Sequence, residues 1–149
     1  MDIKLILNNI VKTAETLDVS GLSLNTQTLK KGDVFVALQG EKNHGIEFIE
    51  NAIDKGCVAV LIDGKDFDCK IPTIRIDNLK THLSTLAQNF YTKAKDVDLI
   101  AVTGTNGKTS VSHYISQILN LLETDNGVIG TLGMSKTQNK SINTTPDIF

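Results

Sequence analysis

Apolar and polar positions alternate in blocks along this chain, and the period of each block names an element. Ile3, Ile6, Leu7, Ile10 and Val11 recur at three- and four-residue spacing, which predicts a short helix over 3–11 with one buried face. Leu22 to Leu24 reads as a short strand. After the turn Lys31-Gly32-Asp33, the unbroken run Val34-Phe35-Val36-Ala37-Leu38 predicts a strand buried on both sides. Polar Gly40 to Gly45 is a loop. Phe48, Ile49, Ala52 and Ile53 form the inner face of a helix that stops at Gly56, a residue suited to the position after a helix end. Val58 to Ile62 is a further buried strand and Thr73 to Ile76 another. Asp77 is the expected N-cap of a helix with Leu79, Leu83, Leu86, Ala87 and Phe90 on its inner face.

The charged, unpatterned stretch 93–98 marks a boundary between a first domain, 1–95, and a second, 96–149. The second opens with an apolar strand, Leu99 to Val102, and continues through a glycine-framed turn into a helix with Val111, Ile115, Ile118, Leu119 and Leu122 inside. Val128 and Ile129 then start a strand that runs into Gly130-Thr131-Leu132-Gly133. Strands alternate with helices throughout, so the class is α/β. One strand, one helix and one further strand after residue 98 cannot cover both faces of a parallel sheet. The chain is therefore expected to be a fragment whose second domain is begun but not finished.

The densest chemistry lies at that second domain's start, Val102-Thr103-Gly104-Thr105-Asn106-Gly107-Lys108-Thr109-Ser110. A strand, a glycine turn and a helix start would aim several backbone N–H groups at one spot, which suits a polyphosphate. Lys108 would reach the outer phosphates as a point charge, and the Thr109 hydroxyl would ligate a magnesium ion. The spacing Gly-x-x-Gly-Lys-Thr is shorter than the general P-loop, which has four residues between its first glycine and the Gly-Lys pair.

Bulk properties narrow the partners. The 149 residues carry 15 basic and 17 acidic side chains, and no basic cluster stands out for a nucleic acid or a membrane surface. The apolar runs are strand-sized, so no transmembrane helix is expected. Met1-Asp2-Ile3-Lys4 is a poor signal peptide. Cys57 and Cys69 have no CxxC or histidine spacing and read as free thiols of a cytoplasmic protein. His44 reads as a capping or surface residue, His82 and His113 as helix residues without a role, and Asp33 as the anchor of its turn.

Several separate segments resemble the Mur ligase family of peptidoglycan synthesis. Lys31 to Gly40, followed by His44-Gly45, Phe48-Ile49, Ala52-Ile53 and Gly56, is similar to the family's N-terminal nucleotide-sugar domain. Val102 to Ser110 resembles its ATP loop. Gly130-Thr131-Leu132-Gly133 and Asn143-Thr144-Thr145-Pro146-Asp147 resemble the branch that adds the third residue of the stem peptide, rather than the branch adding D-Ala-D-Ala. The resemblance covers nearly all of this chain but only about the first third of a family enzyme. The ATP loop taken alone also fits folylpolyglutamate synthases.

The resemblance implies a small N-terminal α/β nucleotide-sugar-binding domain followed by the start of a P-loop-containing central domain. It implies an ATP- and magnesium-dependent amide ligase, cytoplasmic and monomeric, with Lys108 and Thr109 as candidate catalytic residues. Its substrates would be UDP-N-acetylmuramoyl-L-alanyl-D-glutamate and a diamino acid, either diaminopimelate or L-lysine. Carried over by position, Gly104, Thr105, Asn106, Gly107, Lys108, Thr109 and Ser110 would cradle ATP, with Thr109 on the metal. Leu24 and Thr26, with Glu41, Lys42 and Asn43, would line the uridine-diphosphate site, and Asn143, Thr144 and Thr145 would touch the muramoyl peptide. One segment departs from the family's pattern: Asn25-Thr26-Gln27 stands where Asp-Ser-Arg is usual, so a hydroxyl is kept and a cation is lost. On this reading the 149 residues alone lack ligase activity, and a uridine-nucleotide-binding module is the alternative.

Overall fold

The computed structural model of the protein describes residues 1–40, 44–64, 67–134 and 149. They fall into two compact units, residues 1–96 with the last residue in one and residues from 97 onward in the other. The first unit is built on a parallel sheet of four strands in the order β1 (Gly21–Ser23), β2 (Asp33–Ala37), β3 (Ala59–Ile62), β4 (Thr73–Arg75). The α/β class read from the alternating pattern is the fold observed.

The two faces of this sheet carry separate cores, as parallel strands require. Val34 and Val36 of β2, Ala59 and Leu61 of β3, Leu22 and Ile74 point to one face, where α1 (Ile3–Ile6) and α3 (Leu79–Phe90) cover them with Ile3, Ile6, Leu79 and Leu86. Phe35 and Ala37 of β2 and Val60 and Ile62 of β3 point to the other. There α2 (Ile49–Asp54) covers them with Ile49 and Ala52. Asn89 of α3 donates to the carbonyls of Ile6 and Asn8, at 2.9 Å each, and so ties α3 to the end of α1. Cys57 and Cys69 are free thiols of the α2-side cluster, and burial foremost, then the neighbouring Cys69, pushes the Cys57 thiol up to about 11.

Several elements differ from the sequence expectation for local reasons. The first helix stops at Ile6, because Asn9 takes a left-handed φ of 63°. Ile10 and Val11 still pack on the same core, so the apolar spacing marked the buried face and overstated the helix. Asp77 is not the cap of α3. Asn78 holds that position, in left-handed conformation without a side-chain cap, while Asp77 pairs with Arg75 at 3.2 Å. Asp33 does anchor its turn: 7% exposed, its Oδ2 accepts from the Lys30 N–H at 2.8 Å.

A short 3-10 helix (Gly45–Phe48) leads into α2, and His44 caps it. Nδ1 of His44 accepts from the Ile46 N–H at 3.1 Å, while the His44 N–H donates to Glu47 Oε1 at 3.3 Å. Gly45 follows because the chain doubles back onto β2. Its N–H donates to the Leu38 carbonyl at 2.7 Å, and a Cβ there would stand 2.7 Å from Ala37 Cα and 2.8 Å from Leu38 N. Those are backbone atoms and cannot rotate away. Gly45→Ala is expected to destabilise the first unit by about 1–3 kcal/mol through overpacking. Urea denaturation checks this, and an unchanged midpoint would show that the loop yields freely.

The second unit holds α4 (Lys108–Leu121) and an antiparallel pair, β5 (Ile129–Gly130) and β6 (Gly133–Met134). The strand expected at Leu99 to Val102 is not formed. A strand needs a neighbour to complete its ladder, and among the described residues none lies beside it, so Leu99 stands 90% exposed. The helix expected after the loop is present, yet none of its residues is buried. Ile115 and Leu119 are half-covered, whereas Val111, Ile118 and Leu122 are exposed. No described helix is long and apolar enough to cross a membrane.

Candidate functional site

The loop from Gly104 to Ser110 is formed by two glycines in conformations that side chains disfavour, and it feeds directly into α4. Gly107 is the N-cap of α4 with φ 77°, and Gly104 has φ 149°. Nothing stands within 4 Å of a Cβ built on Gly107, so its requirement is one of backbone angle rather than space. The first intrahelical bond is from the Val111 N–H to the Gly107 carbonyl at 2.9 Å. The N–H groups of Lys108, Thr109 and Ser110 precede that bond, and glycine offers no side chain to cap them. They lie at the helix start, where the helix dipole favours negative charge.

Lys108 folds back over this turn. Its Nζ donates to the Gly104 carbonyl at 2.5 Å and to the Thr105 carbonyl at 3.3 Å, which holds the ammonium at the loop's mouth. Thr109 Oγ1 lies 3.4 Å from Thr131 Oγ1, and the Ser112 hydroxyl donates to the Thr109 carbonyl at 2.9 Å, fixing the first turn. Every residue from Gly104 to Ser110 is exposed to solvent. A cation, a fan of N–H donors and a hydroxyl form a donor set that fits a polyphosphate with a hard divalent cation. The seven residues expected at the phosphate loop, Gly104 to Ser110, all lie in this exposed turn.

The second candidate region lies where β1 and β2 end. Ligands of open α/β sheets bind outside the carboxyl ends of the strands, and the loops after β1 and β2 leave from that edge. Asn25 shapes the loop after β1: its Oδ1 accepts from the Gln27 N–H at 2.8 Å. Its carbonyl takes the Ser23 hydroxyl at 2.9 Å and the Thr28 hydroxyl at 3.1 Å. This turn carries Leu24, half-buried against the α1 side of the core, and Thr26. Lys55, at the end of α2, donates to the Thr26 carbonyl at 2.6 Å. Sequence reasoning missed Lys55 because the contact spans 29 positions and has no local pattern. Glu41, Lys42 and Asn43, and likewise Asn143, Thr144 and Thr145, lie outside the described residues.

Comparison with known proteins adds what geometry alone does not. The Mur ligase middle domain matches residues 102–149, and the Mur ligase family catalytic domain matches residues 18–91. The UDP-N-acetylmuramoyl-L-alanyl-D-glutamate--2,6-diaminopimelate ligase 2 of Clostridium acetobutylicum is similar at 36% identity over 161 residues, covering 99% of this chain and 33% of that protein. A solved structure of a UDP-N-acetylmuramoyl-L-alanyl-D-glutamate--2,6-diaminopimelate ligase is alike in fold, with a TM-score of 0.67 at 23% identity over 99% of this chain and 31% of its own. The MurF ligase of Thermotoga maritima, solved in complex with ADP, is alike with a TM-score of 0.53 at 26% identity, over 67% of this chain and 23% of its own. The chain spans about a third or less of the length of the curated relatives it matches.

Proposed function

Because this chain belongs to the Mur ligase family, we propose that it carries the nucleotide-sugar-binding domain, residues 1–95, and the opening of the ATP-binding domain, residues 96–149, of an ATP-dependent amide ligase. The ligase works in the cytoplasm as a monomer and joins a diamino acid to UDP-N-acetylmuramoyl-L-alanyl-D-glutamate. ATP supplies a phosphoryl group that activates the substrate carboxylate, the amine attacks the acyl phosphate, and an amide forms as phosphate leaves. The observation that carries this reading is the loop itself, with the three N–H groups of Lys108 to Ser110, the Lys108 ammonium and the Thr109 hydroxyl in one exposed turn. Phosphoryl transfer is chiefly positioning and charge neutralisation, and those are the services such donors give.

In this reading Gly104, Thr105, Asn106 and Gly107 set the loop's path, Lys108 holds the outer phosphates and Thr109 offers its oxygen to magnesium. Leu24 and Thr26, with Glu41, Lys42 and Asn43, hold the uridine diphosphate, and Lys55 braces the Thr26 carbonyl. Asn143, Thr144 and Thr145 meet the muramoyl peptide. The names of the relatives support the substrate, and diaminopimelate is the diamino acid they name.

A second reading, a uridine-nucleotide-binding module without catalysis, has one observation in its favour. Every buried side chain among the described residues belongs to residues 1–96. Calorimetric titration of the 149-residue chain with UDP-muramoyl-dipeptide and with magnesium ATP tests both readings. Saturable binding of each is expected, with no amide product on adding diaminopimelate, because so exposed a phosphate loop does not exclude water. Uridine-nucleotide binding without ATP binding would favour the module, and binding of neither would sink both.

A further inference from the structure

The segment Gly130-Thr131-Leu132-Gly133 has no part in the function proposed above, yet the structure gives it a specific neighbour. Gly130 and Gly133 pair across the β5–β6 ladder, which makes Thr131 and Leu132 the two residues of the turn between them. That turn carries the Thr131 hydroxyl to within 3.4 Å of the Thr109 hydroxyl, 22 residues earlier in the chain. Both side chains are exposed, and both belong to the same compact unit.

A threonine hydroxyl has one proton to give and two lone pairs to offer, and it rotates to suit its partners. When its oxygen ligates a hard cation, a lone pair faces the ion and the proton must find an acceptor elsewhere. We propose that Thr131 is the positioning residue that accepts the Thr109 proton and so turns a Thr109 lone pair toward the magnesium of a bound nucleotide. The inference rests on reading the Gly104–Ser110 loop as an ATP site. A separation of 3.4 Å is long for two hydroxyls. Such contacts tighten when the ligand orders them, so the effect belongs to the magnesium-bound state.

The test is calorimetric titration of ADP into the full chain, with magnesium and with EDTA, for the wild type, Thr131→Val, Thr131→Ser and Leu132→Ala. Magnesium is expected to tighten ADP binding to the wild type. Thr131→Val should forfeit about three- to tenfold of that gain, the worth of one hydrogen bond, while its affinity in EDTA stays put. Thr131→Ser keeps the hydroxyl and the gain, and Leu132→Ala, altered in the same turn, keeps it too. Thr131→Val with the full magnesium gain overturns the inference. Should it weaken binding in EDTA as well, Thr131→Ala decides: a lost gain supports the role and a full gain ends it. A wild type that binds ADP indifferently to magnesium overturns the inference and leaves the ATP loop standing. A wild type that binds no ADP removes both.

Discussion

Lys108→Ala is expected to weaken ATP binding by the chain by about ten- to a hundredfold, the worth of one or two hydrogen bonds to charged groups. Two losses coincide at this position. The ammonium that would meet the outer phosphates disappears, and so do its bonds to the Gly104 and Thr105 carbonyls, which brace the loop at 2.5 and 3.3 Å. On the proposed reading the ammonium, already held at the loop before nucleotide arrives, would turn from those carbonyls to phosphate oxygens. Arginine does not substitute, since a planar fork cannot sit where a compact point charge lies over two carbonyls. Lys108→Arg should therefore recover little. Adenosine, which has no phosphates, serves as the control: its binding should be equal in wild type and variant. ATP affinity unchanged in Lys108→Ala would remove the loop from the proposed function.

The two halves of the chain differ in how far their residues disclose the structure. In the first unit, an unbroken apolar run such as Val34 to Leu38 reads as a strand covered on both faces, and the observed strand, Asp33–Ala37, is buried along its whole length while Leu38 lies just past its end. Where the reading slipped there, a single residue overrode the pattern. Asn9 ended a helix by taking positive φ, and Asn78 rather than Asp77 stood at a helix start. Neither choice follows from periodicity, because each rests on a single asparagine taking a positive φ, which the apolar spacing does not encode. In the second unit the failure has another origin. Leu99 to Val102 has strand composition, but a strand is a relation between two segments, and among the described residues the second segment is missing.

The candidate sites divide along the same line. The Gly104–Ser110 loop was legible because its chemistry is contiguous, and each residue needed only its neighbours to take its place. Lys55 and Thr131 were not, because each acts across 29 or 22 positions on a group the sequence does not set beside it. Thr131 left a trace, a hydroxyl in a turn framed by glycines. Lys55 left none.

Phe35→Ala is expected to destabilise the first unit by about 3–5 kcal/mol, against a total of about 5–15 kcal/mol for a small domain. Phe35 is 2% exposed and sits in β2, in register with Ser23 of β1 and Val60 of β3, so ladders on both sides prevent its backbone from moving. Its ring lies in the cluster with Ile49 and Ala52 of α2, and with Cys57 and Ile62. Ala52 and Ala37 are small, so the phenylalanine ring supplies much of the volume beneath α2. A helix of six residues has little internal stability of its own and depends on that contact. Removing the ring leaves a cavity that the pinned sheet cannot close. The melting temperature should fall by about 15–30 °C on the usual scaling for a domain of this size. Cys57 gives a second, local readout. Its thiol, raised by burial, stays protonated and shielded while α2 is docked. Labelling of Cys57 by a thiol reagent should quicken in Phe35→Ala relative to the wild type. A variant that melts within a few degrees of the wild type and labels no faster would mean that α2 holds its place without Phe35.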